Sequence, residues 1–152
     1  MKYAMPVYST NKKVRFDYEI LETLEAGLVL TGNEVKSIRD GGARLAGAFV
    51  TFHGSQALLT NAHIPKYKHA GNVMEYDPTH SRVLLLSKKQ IDYLRGKTQE
   101  RGLTIVPLSI YTSGRRIKIE IAVAKGKKTY DKRESIKKRE TEREMKRSLK
   151  NI

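Results

Sequence analysis

Ile117-Lys118-Ile119-Glu120-Ile121-Ala122-Val123 decides the fold. Its Ile and Val residues alternate with Lys118 and Glu120, the two-residue period of a strand with one buried and one open face. Upstream, Thr112-Ser113-Gly114 turns the chain. Leu103 to Tyr111 then reads as the preceding strand, with Pro107 marking an edge or bulge position because it cannot donate to a ladder. Val83 to Leu86 is a short apolar strand. Ser87, with Gln90 three residues on, caps a helix through Ile91 and Leu94, with Gly96 a candidate break and Gly102 its end.

Further out, Ala48 to Phe52 and Gln56 to Asn61 flank His53-Gly54-Ser55 as a hairpin. Thr31-Gly32-Asn33-Glu34 has the form of a capping box and predicts a helix through Val35 and Ile38 that stops at Gly41-Gly42. Val14 to Ile20 alternates like a strand, Glu25-Ala26-Gly27 reads as a turn, and Leu28-Val29-Leu30 as a second strand. Ile64 to Thr79, with its prolines and polar residues, reads as a long loop. About six short strands with two or three peripheral helices, and no βαβ alternation, predict a mainly β fold. A small, partly open, OB-like antiparallel barrel fits that pattern, and such barrels bind oligonucleotides.

The chain has 152 residues and a formal net charge of +14. Half of that excess lies in residues 125–152, where 12 Lys/Arg face 5 Asp/Glu. Two units follow: a body over residues 1–124, opening with a loose arm over residues 1–10, and a basic tail over 125–152. The tail has too few apolar residues to fold alone, but it can coil into a helix when a polyanion neutralises it. Asp131 with Glu134 offers it an N-cap box, and Met145, Leu149 and Ile152 form a thin apolar stripe. A polyanionic partner is expected, and nucleic acid fits better than membrane because the stripe is narrow and lacks Phe and Trp. There is no run of about 18 apolar residues for a spanning helix. The first ten residues have no apolar signal core, so a cytoplasmic protein is expected. With no cysteine and four scattered histidines (His53, His63, His69, His80), neither a metal site nor a cofactor is expected. No nucleophile, phosphate-loop or paired-carboxylate motif argues for an enzyme.

The candidate RNA-contacting residues follow from charge and position. Asn11, Lys12, Lys13 and Arg15 form a basic cluster in which the cations reach phosphates and Asn11 a base or sugar edge. Glu25 with Gly27, and Gly32 with Glu34, pair a carboxylate with a close-approach glycine. Such a carboxylate accepts from exocyclic amines or 2′-hydroxyls, although turn and cap chemistry alone also explains both pairs. Lys36 and Arg39 lie on the exposed face of the first helix. Leu84, Leu85 and Leu86 cannot all face inward on one strand. Either Leu85 is exposed to stack on bases, or, the reading preferred from the strand alone, both faces are covered. Lys118, with Arg115 and Arg116, extends a basic surface into Gly126-Lys127-Lys128.

Taken together, these stretches resemble the SsrA-binding protein family, also called small protein B, the partner of transfer-messenger RNA in bacterial ribosome rescue. The resemblance rests on Asn11-Lys12-Lys13; Asp17-Tyr18-Glu19-Ile20; Glu25-Ala26-Gly27; Leu30 to Arg39; Asn61-Ala62-His63-Ile64; Asp77-Pro78; and Gly126 to Arg133. It implies that Asn11, Glu25, Leu85 and Lys118 belong to a surface for the tRNA-like domain of that RNA. It also implies that Gly126, Lys127, Lys128, Tyr130, Asp131, Lys132 and Arg133 belong to a tail that turns helical in the ribosomal mRNA channel. The body would then stand in for the anticodon side of a tRNA. A monomer is the default expectation. Tyr130 stands where some relatives carry His, and Lys66 to Glu75 matches no family pattern. The alternative is a general ribosomal or RNA-binding OB-like protein whose tail threads rRNA.

Overall fold

The computed structural model describes residues 6–71 and 75–150, without the side chains of residues 129–131, 135 and 150. In chain order the elements are β1 (Val7–Thr10), α1 (Val14–Asp17), β2 (Tyr18–Leu28), α2 (Gly32–Arg39), β3 (Phe49–His53) and β4 (Gln56–Thr60). They continue with β5 (Arg82–Leu85), α3 (Lys88–Thr98), β6 (Leu103–Ser113), β7 (Arg116–Gly126) and α4 (Thr129–Lys150). Among the described residues, seven strands form one sheet in the order β1-β6-β7-β2-β5-β4-β3, every pair antiparallel. The fold is mainly β, as expected, with one strand more than the sequence count. Hydrogen bonding does not close the sheet, but it curls so that β3 packs near β6.

The alternation in β7 works as predicted. Ile117, Ile119, Ile121 and Val123 enter the core inside the curl, together with Ile105 and Ile110 of β6, Leu59 of β4 and Leu84 of β5. The opposite face of β7 divides along its length. Ala122 and Ala124 are small enough for α1 to lie on them, and Val14 packs there with Val106 and Leu108 in a second cluster. Lys118 and Glu120 leave the other end of that outer face open. The Pro107 bulge is present as a register shift between Pro107 and Ser109.

Both capping boxes form. Thr31 and Glu34 cap α2 reciprocally, as Ser87 and Gln90 cap α3. Beyond α2, Gly41 takes φ +87°, which favours glycine. The β3–β4 hairpin is also as read.

Four expectations are corrected. The strand expected over Val14 to Ile20 begins only at Tyr18, because the outer apolar cluster draws Val14 to Asp17 into a helical turn. Glu25-Ala26-Gly27 is not a turn but part of β2, near its C-terminal end, paired with Glu120, Ile119 and Lys118. Ala26 is buried there, and sheet pairing outweighs glycine's weak strand preference. Gly96 does not break α3, where burial of Ile91 and Leu94 outweighs a penalty of about 1 kcal/mol. The loose arm expected at the start gives way at Val7–Thr10 to a strand on β6; residues 1–5 lie outside the described residues.

At the other end, β7 extends through Lys125 and Gly126, which pair with Glu19 and Tyr18. The tail thus leaves the sheet two residues later than its composition suggested. Helix α4 starts at Thr129, which puts Asp131 inside the first turn rather than at the cap. Ile136, Met145 and Leu149 are exposed on it. Among the described residues, no helix is long and apolar enough to cross a membrane.

Candidate nucleic-acid interface

Sheet register assembles the site. Leu85 of β5 pairs with Gly27 of β2, Gly27 with Lys118 of β7, and Lys118 with Tyr111 of β6. Paired residues project to the same side, so one row crosses four strands on the open outer face. Leu85 is 57% exposed. The preference for a strand covered on both faces is therefore corrected: α3 does not cover Leu85. Gly27 explains the geometry, because a Cβ on it would lie 3.1 Å from Leu85 Cβ and 3.2 Å from Cδ1. The missing side chain lets Leu85 lie against the β2 backbone. Gly27, Leu85, Lys118, Arg115 and Arg116 line a shallow cleft of about 310 Å³, floored by Leu28, Leu30, Val35 and Ile117. An apolar floor rimmed by cations suits a base with its phosphate.

Glu25 lies two residues from Gly27, on the same face. Its carboxylate accepts a hydrogen bond from the Tyr111 hydroxyl. Burial pushes the Tyr111 pKa up, and the carboxylates of Glu25 and Glu120 push it further, so this hydroxyl remains a donor. The bond fixes one lobe of the Glu25 carboxylate and leaves other lone pairs for donors on a ligand. Replacing Glu25 by Ala is expected to weaken binding of a tRNA-like RNA about tenfold, the scale of a lost hydrogen bond to a charged group. Generic attraction predicts the reverse, since the variant is more cationic. Tighter binding in a filter or anisotropy titration would show that Glu25 makes no specific contact.

The structure divides the remaining sequence candidates. Lys12, Lys13 and Arg15 are exposed beside α1, at the covered end of the same outer face. Asn11 is half-buried and differs from expectation. Its side-chain amide donates to Pro107 O at 3.0 Å and Leu45 O at 3.4 Å, bracing the bulge. Gly32, Lys36 and Arg39 lie on α2, and all three are exposed.

Glu34 is corrected outright as a ligand contact, being only 2% exposed. Its Oε2 receives Arg82 Nε at 2.8 Å and lies 3.1 Å from His80 Nε2. Its Oε1 accepts the Thr31 amide at 3.1 Å. Burial alone would raise its pKa, but the Thr31 amide, the Arg82 guanidinium and the His80 charge together hold it below the ordinary value. Arg82, 1% exposed, also donates to Ala62 O, the Tyr76 hydroxyl and Pro78 O. The pair pins the loop between β4 and β5 to the cap of α2.

The tail leaves the sheet beside α1. The Lys127 amide donates to Asp17 O at 2.9 Å. Lys132 Nζ lies 3.5 Å from Asp17 Oδ1 and 6.0 Å from the Phe16 ring centroid, with Arg139 at 5.3 Å from the same ring. Lys128 and Arg133 are exposed, and Gly126 is a strand residue rather than part of a separate tail. The side chains of Tyr130 and Asp131 lie outside the described residues.

Sequence reading missed Tyr111, Arg82 and Phe16. Tyr111 was recoverable, since counting back from the Thr112-Ser113-Gly114 turn places it opposite Lys118. Arg82 and Phe16 had no local signal, because their partners are remote in sequence.

An open, curled antiparallel sheet with a mixed apolar and cationic row, continued by a basic helix, has the architecture of the OB-like nucleic-acid-binding class. A model of the SmpB protein family matches residues 8–151. The SsrA-binding protein of Acaryochloris marina is 47% identical over 150 residues, covering 99% of this chain and 97% of its own. That of Thermosipho africanus is 51% identical over 147 residues, covering 96% and 98%. A solved chain described as "tmRNA-SmpB: a journey to the center of the bacterial ribosome" superposes with a TM-score of 0.68 at 41% identity, covering 84% of this chain and 92% of that one. The chain belongs to the SmpB family of SsrA-binding proteins.

Proposed function

We propose that this chain binds the tRNA-like domain of transfer-messenger RNA and delivers it to stalled ribosomes in trans-translation. The observation that carries this reading is the registered row Leu85–Gly27–Lys118–Tyr111, with Glu25 beside it, on a chain about half identical to SsrA-binding proteins over nearly its whole length. The body acts as the anticodon side of a tRNA would. The basic helix α4 enters the empty mRNA channel of the small subunit, where Lys127, Lys128, Tyr130, Asp131, Lys132 and Arg133 contact the ribosome. Before that, α4 is only marginally stable. A lone helix gains little in water, and Met145 and Leu149 stay exposed on it, so they bury too little apolar surface to offset the ordering entropy.

The role is non-catalytic and cytoplasmic, and it is performed by a monomer. Sequencing the RNA that co-purifies with the chain from bacterial cells tests the reading. Transfer-messenger RNA should dominate. A broad mixture of ribosomal fragments would instead identify a general rRNA-threading protein.

A further inference from the structure

Lys66, Tyr67 and Ala70, from the stretch that matched no pattern, form part of a second, smaller slot. Pro65, Tyr67, Ala70 and Tyr76 line it, with Thr31, Asn33 and Lys66 among its polar residues. Its volume is about 160 Å³. A cavity of ~150 Å³ takes up benzene, so this one accepts a flat ring. The Tyr76 wall is held firmly: its hydroxyl donates to Ile64 O at 2.7 Å and accepts from Arg82 at 2.9 Å. Lys36 Nζ sits 5.6 Å from the Tyr67 ring centroid, and His69 meets that ring edge-on at 5.4 Å.

Two cations, Lys66 in the lining and Lys36 over the Tyr67 ring, face the slot, while the one carboxylate lining it, Glu34, is spent on Arg82. Glu75 and Asp77 flank Tyr76 in sequence without lining the slot. Aromatic walls, an amide at the rim and surrounding cations suit an unpaired nucleobase attached to a phosphate chain. The slot also adjoins the first cleft, because α2 and the residues leading into it supply Leu30 and Val35 to one and Thr31, Asn33 and Glu34 to the other.

We propose that the slot between α2 and residues Pro65, Lys66, Tyr67, Ala70 and Tyr76 holds one splayed-out base of the bound RNA, stacked on Tyr67. This rests on the RNA-binding reading above and extends the interface past Gly27 and Leu85. Tyr67 and Lys36 become specificity residues, and the base they hold lies beyond the paired part of the RNA. The Arg82–Glu34 pair shapes the slot without entering it.

The test uses the full chain and a transcript of the tRNA-like domain. Tyr67→Ala should weaken binding about tenfold, the scale of one lost base stack, with an unchanged salt slope. Tyr67→Phe should bind as the parent does. Lys36→Ala should reduce the salt slope by about one. Irradiating the parent complex at short wavelength should add a nucleotide to the peptide containing Tyr67, which checks the contact without any variant. If Tyr67→Ala binds normally and no adduct forms while Leu85→Ala weakens binding, the slot is not an RNA site and the main interface stands. If Leu85→Ala also binds normally, the slot and the interface both fall.

Discussion

Replacing Glu34 by Gln is expected to cost about 3–5 kcal/mol of folding stability, the usual penalty for removing one partner of a buried ion pair. Arg82 is the reason. It is fully buried, Glu34 is the one carboxylate within ion-pair distance of it among the described residues, and Gln would leave its charge uncompensated. The sign of the pH dependence follows from the lowered Glu34 pKa. A carboxylate with a depressed folded pKa contributes stability in full above its unfolded value, near 4.5, and loses it as pH falls through the folded value. Urea titrations of the parent should therefore show an acid limb below about pH 4.5 that Glu34→Gln flattens. A variant as stable as the parent at neutral pH would mean that Arg82 is satisfied by carbonyls alone.

Cutting the chain after Lys128 should leave affinity for the tRNA-like domain nearly unchanged and abolish rescue of stalled ribosomes. The cut respects the sheet, since β7 runs through Gly126 and a cut after Ala124 would remove the paired residues Lys125 and Gly126. The body should fold without α4, because among the described residues the side-chain contacts between them are one exposed ion pair at Asp17 and two cations over Phe16. Each is worth about 0.5–1 kcal/mol. Such a latch is weak enough for a polyanion to release. The helix it holds is about 33 Å long by its 22 residues, enough to reach far along a channel. A truncated chain that loses RNA binding and rescue together would refute this division of labour.

How much of this was legible depends on the range of each interaction. Capping boxes are local, so Thr31/Glu34 and Ser87/Gln90 could be read directly. The period of β7 was equally plain, because alternation within one strand needs no knowledge of its neighbours. Glu25-Ala26-Gly27 misled for the opposite reason. Its composition says turn, and only pairing with Glu120, Ile119 and Lys118, almost a hundred residues away, makes it strand. Val14 to Asp17 failed likewise, to an apolar patch built from β6 and β7. In the site, Leu85 and Lys118 were named from the sequence, but their alignment through Gly27 appears only in the sheet. Glu34 shows the limit from the other side. A carboxylate beside a glycine in a basic protein looks available, until an arginine 48 positions later claims it.

The central claim is that the outer face of the body alone recognises the RNA. The direct measurement is a titration of the chain cut after Lys128 against the labelled tRNA-like domain, in excess bulk tRNA and across a salt series. Binding should survive the competitor. It should also weaken by about a thousandfold between 50 and 200 mM salt, as expected for roughly six phosphate contacts. Displacement by bulk tRNA at the concentration of the labelled RNA itself would contradict the claim.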